Sequence, residues 1–145
     1  MKVSEVMTSD VAVIGPEATI REAAQKMLSE DAGSIPVCDG ERLCGMITDR
    51  DIAVRAVADG KGPDTPVSEI MTGDLVFCLP DEELTRAALT MARQQVRRLP
   101  VADSDSKRLV GIVSIGDVSR ADDSGAADMA LEGITDPGGR HHQEA

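Results

Sequence analysis

The chain repeats itself. Val3-Ser4-Glu5-Val6-Met7-Thr8 returns 64 residues later as Val67-Ser68-Glu69-Ile70-Met71-Thr72. Pro16 and Pro80, Met27 and Met91, and Ile35-Pro36-Val37 and Leu99-Pro100-Val101 keep the same offset of 64. The closing segments, Gly45-Met46-Ile47-Thr48-Asp49-Arg50-Asp51 and Gly111-Ile112-Val113-Ser114-Ile115-Gly116-Asp117, are offset by 66. Two residues are therefore inserted between Val101 and Gly111, where Ala102-Asp103-Ser104-Asp105-Ser106-Lys107 reads as a longer turn. Chance similarity does not hold register over so many positions, so the chain carries two copies of one structural unit.

Within each copy the hydrophobic period changes twice. Ile20, Ala23, Ala24, Met27 and Leu28 fall at helical spacing, matched by Leu84, Ala87, Ala88, Met91 and Ala92. Thr19 followed by Glu22 has the form of a capping box, and Asp81 is the expected cap in copy two. Strands are expected over 34–38 and 43–48, with Asp39-Gly40 as the hairpin signal, and over 98–102 and 109–114. A brief strand over 11–14, or 75–79 in copy two, precedes each first helix, and a second helix starts at Asp49 and reaches about Gly60. The order strand, helix, strand, strand, helix gives a mixed α/β layer domain. One repeat of about sixty residues buries a thin core, so the copies are expected to pack on each other through their sheets. The expected division is residues 1–60, a linker over 61–66, residues 67–120, and a C-terminal helix and loose tail over 121–145. Ala126, Met129 and Ala130 suit that helix, and Asp136-Pro137-Gly138-Gly139 opens the tail.

Charge and composition narrow the function. No run approaches a membrane span and no signal-peptide pattern opens the chain, so a cytoplasmic location is expected. A formal charge of −11 opposes binding to nucleic acid or an anionic membrane. One Phe, with no Trp or Tyr, provides no base-stacking platform. A small molecule, another protein, or both remain as partners. Three cysteines do not make a disulfide framework. Cys38 and Cys44 flank the expected turn, where they would serve as a redox pair or, in the plainer reading, as buried thiols with Cys78. His141 and His142 adjoin in the tail with no ligand partner at metal spacing, so no metal is expected.

Catalytic signals are absent: there is no histidine ahead of the tail, no nucleophile elbow, no Walker loop and no dinucleotide fingerprint. The chemistry-bearing pattern is Gly-hydrophobic-hydrophobic-Thr/Ser-x-x-Asp, present in both copies. Thr48 or Ser114 ends a strand and starts a helix, with Asp51 or Asp117 three residues on. One reading is a helix cap, since an acid in the first turn suits the dipole. The other uses the same geometry as a phosphate and ribose cradle, the carboxylate accepting ribose hydroxyls and the glycine letting a flat ligand approach the backbone. Arg97, three residues before Pro100, suits a bidentate phosphate clamp, where copy one has Gly33. Arg50 and Arg55 read as solvated or as partners of nearby acids.

Together, the paired V-S-E-[VI]-M-T openings, the [IL]-P-V strands and the G-h-h-[TS]-x-x-D closes resemble the CBS domain, two of which make a Bateman module. The resemblance covers roughly residues 1–120, and Met46-Ile47-Thr48-Asp49-Arg50-Asp51-Ile52 is similar to small stand-alone CBS pairs of actinobacteria. It implies two tandem β-α-β-β-α repeats packed pseudo-symmetrically through their sheets, dimerising through helices. It implies a non-enzymatic sensor of adenosine-containing ligands (AMP, ADP, ATP or S-adenosylmethionine) held in clefts between the repeats. No required cofactor is implied. By the resemblance Asp51 and Asp117 hold ribose, Thr48 and Ser114 lie near ribose and phosphate, Arg97 contacts phosphate, and Ile35, Pro36, Leu99 and Pro100 wall the base pocket. With no effector domain expected in the chain, the output passes to a protein in trans. The rival readings are a ligand-free structural or stress-associated interaction module and a thiol redox protein using Cys38 and Cys44.

Overall fold

The computed structural model describes residues 1–121 and 125–135. The chain forms two compact units whose boundaries differ from those of the sequence repeats. One unit joins Met1–Asp10 to Phe77–Asp105 and to the described residues from Val110 onward; the other comprises Val11–Val76 with Ser106–Leu109.

In the Val11–Val76 unit, helix α1 (Ile20–Glu30) begins where Thr19 Oγ1 accepts the Glu22 N–H at 3.1 Å. It ends at Asp31, whose left-handed φ of 51° closes the last turn. Ile20, Ala23 and Met27 face the core, whereas Ala24 and Leu28 lie at the surface, Leu28 at 84% exposure. Strands β1 (Ser34–Asp39) and β2 (Arg42–Thr48) form an antiparallel hairpin, with Gly40 at φ 62° supplying the turn. The register pairs Val37 with Gly45 but Cys38 with Leu43, so Cys44 is the extra residue of a bulge and its thiol turns to the Val37 carbonyl at 3.3 Å. Cys38 and Cys44 therefore do not pair across the hairpin, and all three cysteines are free thiols. The expected strand over 11–14 shrinks to one parallel bridge, in which Ile14 N–H donates to Pro36 O (3.1 Å) and Cys38 N–H to Ile14 O (2.9 Å). Ile14, Ile20, Met27, Ile35, Val37 and Ile47 share one buried cluster with Val67 and Ile70.

The second helix of this repeat is a π-helix over Asp51–Val57, shorter than the span to Gly60 expected from the sequence. The sequence offers Ile52, Ala53, Ala56 and Val57 as an apolar face left for a second copy; this register instead buries Ala56 completely and lays Ile52 against the core, leaving Val54 and Val57 exposed.

The other unit repeats the plan. Helix α2 (Leu84–Gln94) buries Leu84, Ala87, Ala88 and Met91, and Gln95 closes it at φ 55°. Its N-cap is Glu83 without a side-chain bond, not Asp81, because the Leu84 N–H is taken by the Met1 carbonyl at 2.9 Å. Strands β3 (Arg98–Ala102) and β4 (Leu109–Ser114) form the second two-stranded sheet, and Cys78 bridges β3 as Ile14 bridges β1. Helices α3 (Ile115–Ala121) and α4 (Ala126–Ile134) follow. A methyl group on Gly133 would stand 2.5 Å from Ala92 Cβ, so α4 rests directly on α2, and Gln95 Nε2 bonds the Gly133 carbonyl at 3.0 Å. Ala92 is the repeat equivalent of the exposed Leu28.

The opening segment of each copy is built into the unit that holds the other copy's sheet. Val3 and Ser4 N–H groups donate to Glu82 and Pro80 carbonyls at 3.0 and 2.9 Å, as Val67 and Ser68 donate to Ala18 and Pro16 at 2.8 and 2.9 Å. Thr8 then exchanges both backbone bonds with Ile112 on β4, and Thr72 N–H donates to Met46 O on β2 at 3.0 Å. The inserted loop is used similarly: Leu43 N–H donates to Lys107 O (2.8 Å) and Leu109 N–H to Glu41 O (3.1 Å), fastening it to the β1–β2 turn. The tail motif at 136–139 and both histidines lie outside the described residues.

Candidate functional site

β2 and β4 each deliver a hydroxyl to the start of a helix. In repeat one, Thr48 N–H donates to Asp51 Oδ2 and Asp51 N–H to Thr48 Oγ1, both at 3.0 Å. In repeat two, Ser114 N–H donates to Asp117 Oδ2 at 2.8 Å and Asp117 N–H to Ser114 Oγ at 3.1 Å. Each is a reciprocal cap that satisfies two backbone donors at once. The other carboxylate oxygen faces an arginine: Asp51 Oδ1 lies 3.9 Å from Arg55 Nη1, and Asp117 Oδ1 accepts from Arg120 Nη2. Arg55 is thus the partner of a nearby acid, one of its two sequence readings; it also donates to the Met71 carbonyl at 3.3 Å. Arg120 carries no sequence motif and enters the site as an unforeseen member; its signal is the i, i+3 spacing from Asp117.

Capping alone does not require burial, as the surface cap at Thr19 illustrates. Yet Asp51 and Asp117 are each 8% exposed and, with Gln95, make up the buried polar residues among those described. Burying a carboxylate is costly unless its oxygens are bonded. An ionised carboxylate offers about four lone-pair sites. Each of these accepts one backbone N–H and meets one guanidinium, which leaves acceptor capacity for further donors.

Arg97 joins the site through its backbone: its carbonyl accepts the Ile115 N–H at 2.8 Å, while its side chain is exposed. The equivalent bond in repeat one runs from Asp49 N–H to Gly33 O at 2.9 Å. A methyl group on Gly33 would stand 3.0 Å from Asp49 Oδ2. Ile35 and Leu99 are core residues at 2% and 1% exposure. Pro36 and Pro100 are buried, and their carbonyls hold the Ile14 and Cys78 bridges.

The glycines of the motif serve a different purpose from the one expected. A Cβ on Gly45 would meet Thr72 O at 2.9 Å and Met71 Sδ at 3.1 Å, and one on Gly111 would meet Met7 Sδ at 2.7 Å and Thr8 O at 2.9 Å. The space above each glycine is filled by the Met-Thr of an opening segment, so no flat ligand approaches the backbone there.

The thiols are held protonated. Burial pushes Cys38 up to about 11, helped by the neighbouring Cys44, and pushes Cys78 up to about 12, helped by the charge of Glu82. Cys44 is also raised, first by burial and then by Asp39. A redox pair needs an accessible thiolate, and this environment disfavours one. Among the described residues no three His, Cys, Asp or Glu side chains cluster as metal ligands, and no helix is long and apolar enough to cross a membrane.

The model of the CBS domain matches this chain twice, over residues 3–57 and 67–124. The chain belongs to the CBS-domain family. CBS domain-containing protein YhcV of Bacillus subtilis is 46% identical over 117 residues, which span 81% of this chain and 82% of that protein. Hypoxic response protein 1 of Mycobacterium tuberculosis is 36% identical over 118 residues, spanning 80% and 81%. Both matches agree with the CBS pair read from the repeated motifs. Among solved structures, the CBS pair of MJ0100 in complex with 5′-methylthioadenosine and S-adenosyl-L-methionine superposes with a TM-score of 0.74 at 30% identity, covering 83% of this chain and 94% of that one. CBSX2 in complex with AMP superposes with a TM-score of 0.72 at 25% identity, with coverages of 83% and 94%. The mixed α/β fold of two tandem CBS domains is the architecture expected from the sequence.

Proposed function

We propose that this CBS pair is a non-enzymatic sensor that binds an adenosine-containing ligand (AMP, ADP, ATP or S-adenosylmethionine) and passes its state, as a homodimer, to a protein in trans. The observation that carries this reading is the pair of buried, reciprocally capped carboxylates, Asp51 and Asp117, one in each repeat. In this reading their remaining lone pairs accept ribose hydroxyls. Thr48 and Ser114 stand beside ribose and phosphate, and Arg97 supplies the phosphate charge. Ile35, Pro36, Leu99 and Pro100 form the apolar walls for the base. The AMP and S-adenosylmethionine complexes of CBSX2 and MJ0100 support adenosine as the shared element.

Thermal melting with each of the four ligands tests it. A ligand present at a hundred times its dissociation constant adds about 2.7 kcal/mol. For a chain of this length that raises the Tm by about 5–10 °C. An unchanged Tm with all four ligands would leave the ligand-free interaction module as the reading.

A further inference from the structure

The two repeats hold opposite charges at the same place. Each joins the residue before its first strand to the start of its second helix by one backbone bond, Asp49 N–H to Gly33 O at 2.9 Å and Ile115 N–H to Arg97 O at 2.8 Å. In repeat two the side chains at this junction are a guanidinium and an apolar Ile115. In repeat one they are a hydrogen and a carboxylate. Asp49 Oδ2 lies within 3.0 Å of where the first carbon of any side chain at Gly33 would stand, so the carboxylate occupies the side of the junction that Arg97 holds in its partner repeat. Its other oxygen, Oδ1, accepts the Arg50 N–H at 2.8 Å, which fixes the carboxylate at the helix start. The remaining charges nearly cancel between the sites, because Asp51 is matched by Arg55 and Asp117 by Arg120. Arg50 follows Asp49 on the helix and is turned about 100° from it.

We infer that Asp49 sets the ligand class of repeat one: this site takes adenosine ligands with a neutral or cationic 5′ substituent and disfavours a 5′-phosphate, which goes to repeat two. This rests on the adenosine reading of the motif and assigns its two copies different ligands. A phosphate at repeat one meets a fixed carboxylate, whereas a sulfonium or a plain hydroxyl does not. Asp49 is exposed, yet even with the screening of a protein surface one unit charge beside a bound phosphate changes affinity by about tenfold.

Calorimetric titration of the full chain with adenosine, AMP and S-adenosylmethionine provides the test, with Asp117→Ala (or Asp117→Asn) present so that repeat one is read by itself. Before substitution at Asp49, adenosine and S-adenosylmethionine are expected to bind more tightly than AMP. Asp49→Asn retains an acceptor for the Arg50 N–H, and it is expected to tighten AMP about tenfold while adenosine stays within about twofold. Asp49→Ser, which also retains a capping oxygen, is expected to act the same way. AMP binding as tightly as adenosine at the outset, or a substitution that moves both ligands equally, overturns the assignment of Asp49 while leaving adenosine binding intact. Absence of binding by all three ligands, with Asp117 present or replaced, overturns the adenosine reading and this inference together.

Discussion

Met7 Sδ lies 2.7 Å from the point where a Cβ on Gly111 would stand, the tightest of the contacts that fit an opening segment to a closing strand. The Thr8 carbonyl stands 2.9 Å from the same point, and Met71 and Thr72 repeat the arrangement over Gly45 at 3.1 and 2.9 Å. Gly111→Ala is therefore expected to cost about 1–3 kcal/mol, the range of overpacking in a close-packed core. Gly45→Ala is expected to cost less, since its sulfur neighbour is farther away and more easily moved. Adding Met7→Ala to Gly111→Ala is expected to recover part of the loss, because the sulfur clash is relieved but the carbonyl clash is not. Urea denaturation of the three variants beside the parent measures this, and a neutral Gly111→Ala would contradict the close approach.

That relationship also marks where the sequence stops being legible. The helix start at Thr19 and all four strands lie within one residue of their expected limits, because local periodicity and turn residues determine them. The partner of Met7 is more than a hundred residues away, and no local period encodes which copy's strand an opening segment joins. The glycine is visible in the sequence but its neighbour is not, which is why the motif alone suggests ligand access where the structure shows close packing. The π-helix is hidden for a related reason: Ile52, Ala53, Ala56 and Val57 suit any helix, and its wider turn decides that Ala56 enters the core. Asp51 and Asp117 were legible because capping and ligand binding call for the same residues at the same spacing. Of their arginines, Arg55 was legible as a partner of a nearby acid, whereas Arg120, three residues after its acid instead of four, was not.

The two motif acids are expected to differ in ligand affinity while resembling each other in stability. Asp117→Ala and Asp51→Ala each remove one cap, worth about 0.5–2 kcal/mol. In calorimetry with AMP, Asp117→Ala is expected to abolish the tighter binding event and Asp51→Ala a weak one or none. Arg97→Ala is expected to weaken AMP by about ten- to a hundredfold, the worth of a charge-assisted contact of roughly 1.5–3 kcal/mol, and to spare adenosine. Loss of the main AMP event in Asp51→Ala, or equal loss of adenosine and AMP in Arg97→Ala, would overturn the assignment.

Val54 and Val57, at 49% and 66% exposure on the π-helix, are the residues expected to meet a second copy. Exposed apolar side chains on one short helix suit an isologous contact. Light scattering is expected to give a mass near twice the 15.3 kDa of the chain, shifting to the single mass in Val54→Asp/Val57→Asp. A single-chain mass for the unsubstituted protein at micromolar concentration would refute the dimer.

The buried thiols make stability fall in alkali. Cys38 is pushed up to about 11 and Cys78 to about 12, both chiefly by burial, from an ordinary value of 9.0. At pH 8 this leaves about one Cys38 in a thousand as thiolate, and fewer of Cys78, so a thiol reagent is expected to label Cys44 first. Above pH 9.0 the unfolded chain releases these protons while the folded chain keeps them. Stability then decreases with rising pH, because the unfolded state binds fewer protons. The contribution is complete below pH 9.0 and is lost as pH rises through about 11 and 12, at a limiting slope of roughly 1.4 kcal/mol per pH unit for each thiol. The chain contains no Tyr to titrate in the same range. Urea midpoints between pH 7 and 11 are expected to fall less steeply above pH 9 in Cys78→Ala than in the parent, even though the substitution lowers stability at neutral pH. Identical slopes in the two proteins would show that the Cys78 thiol titrates as freely folded as unfolded.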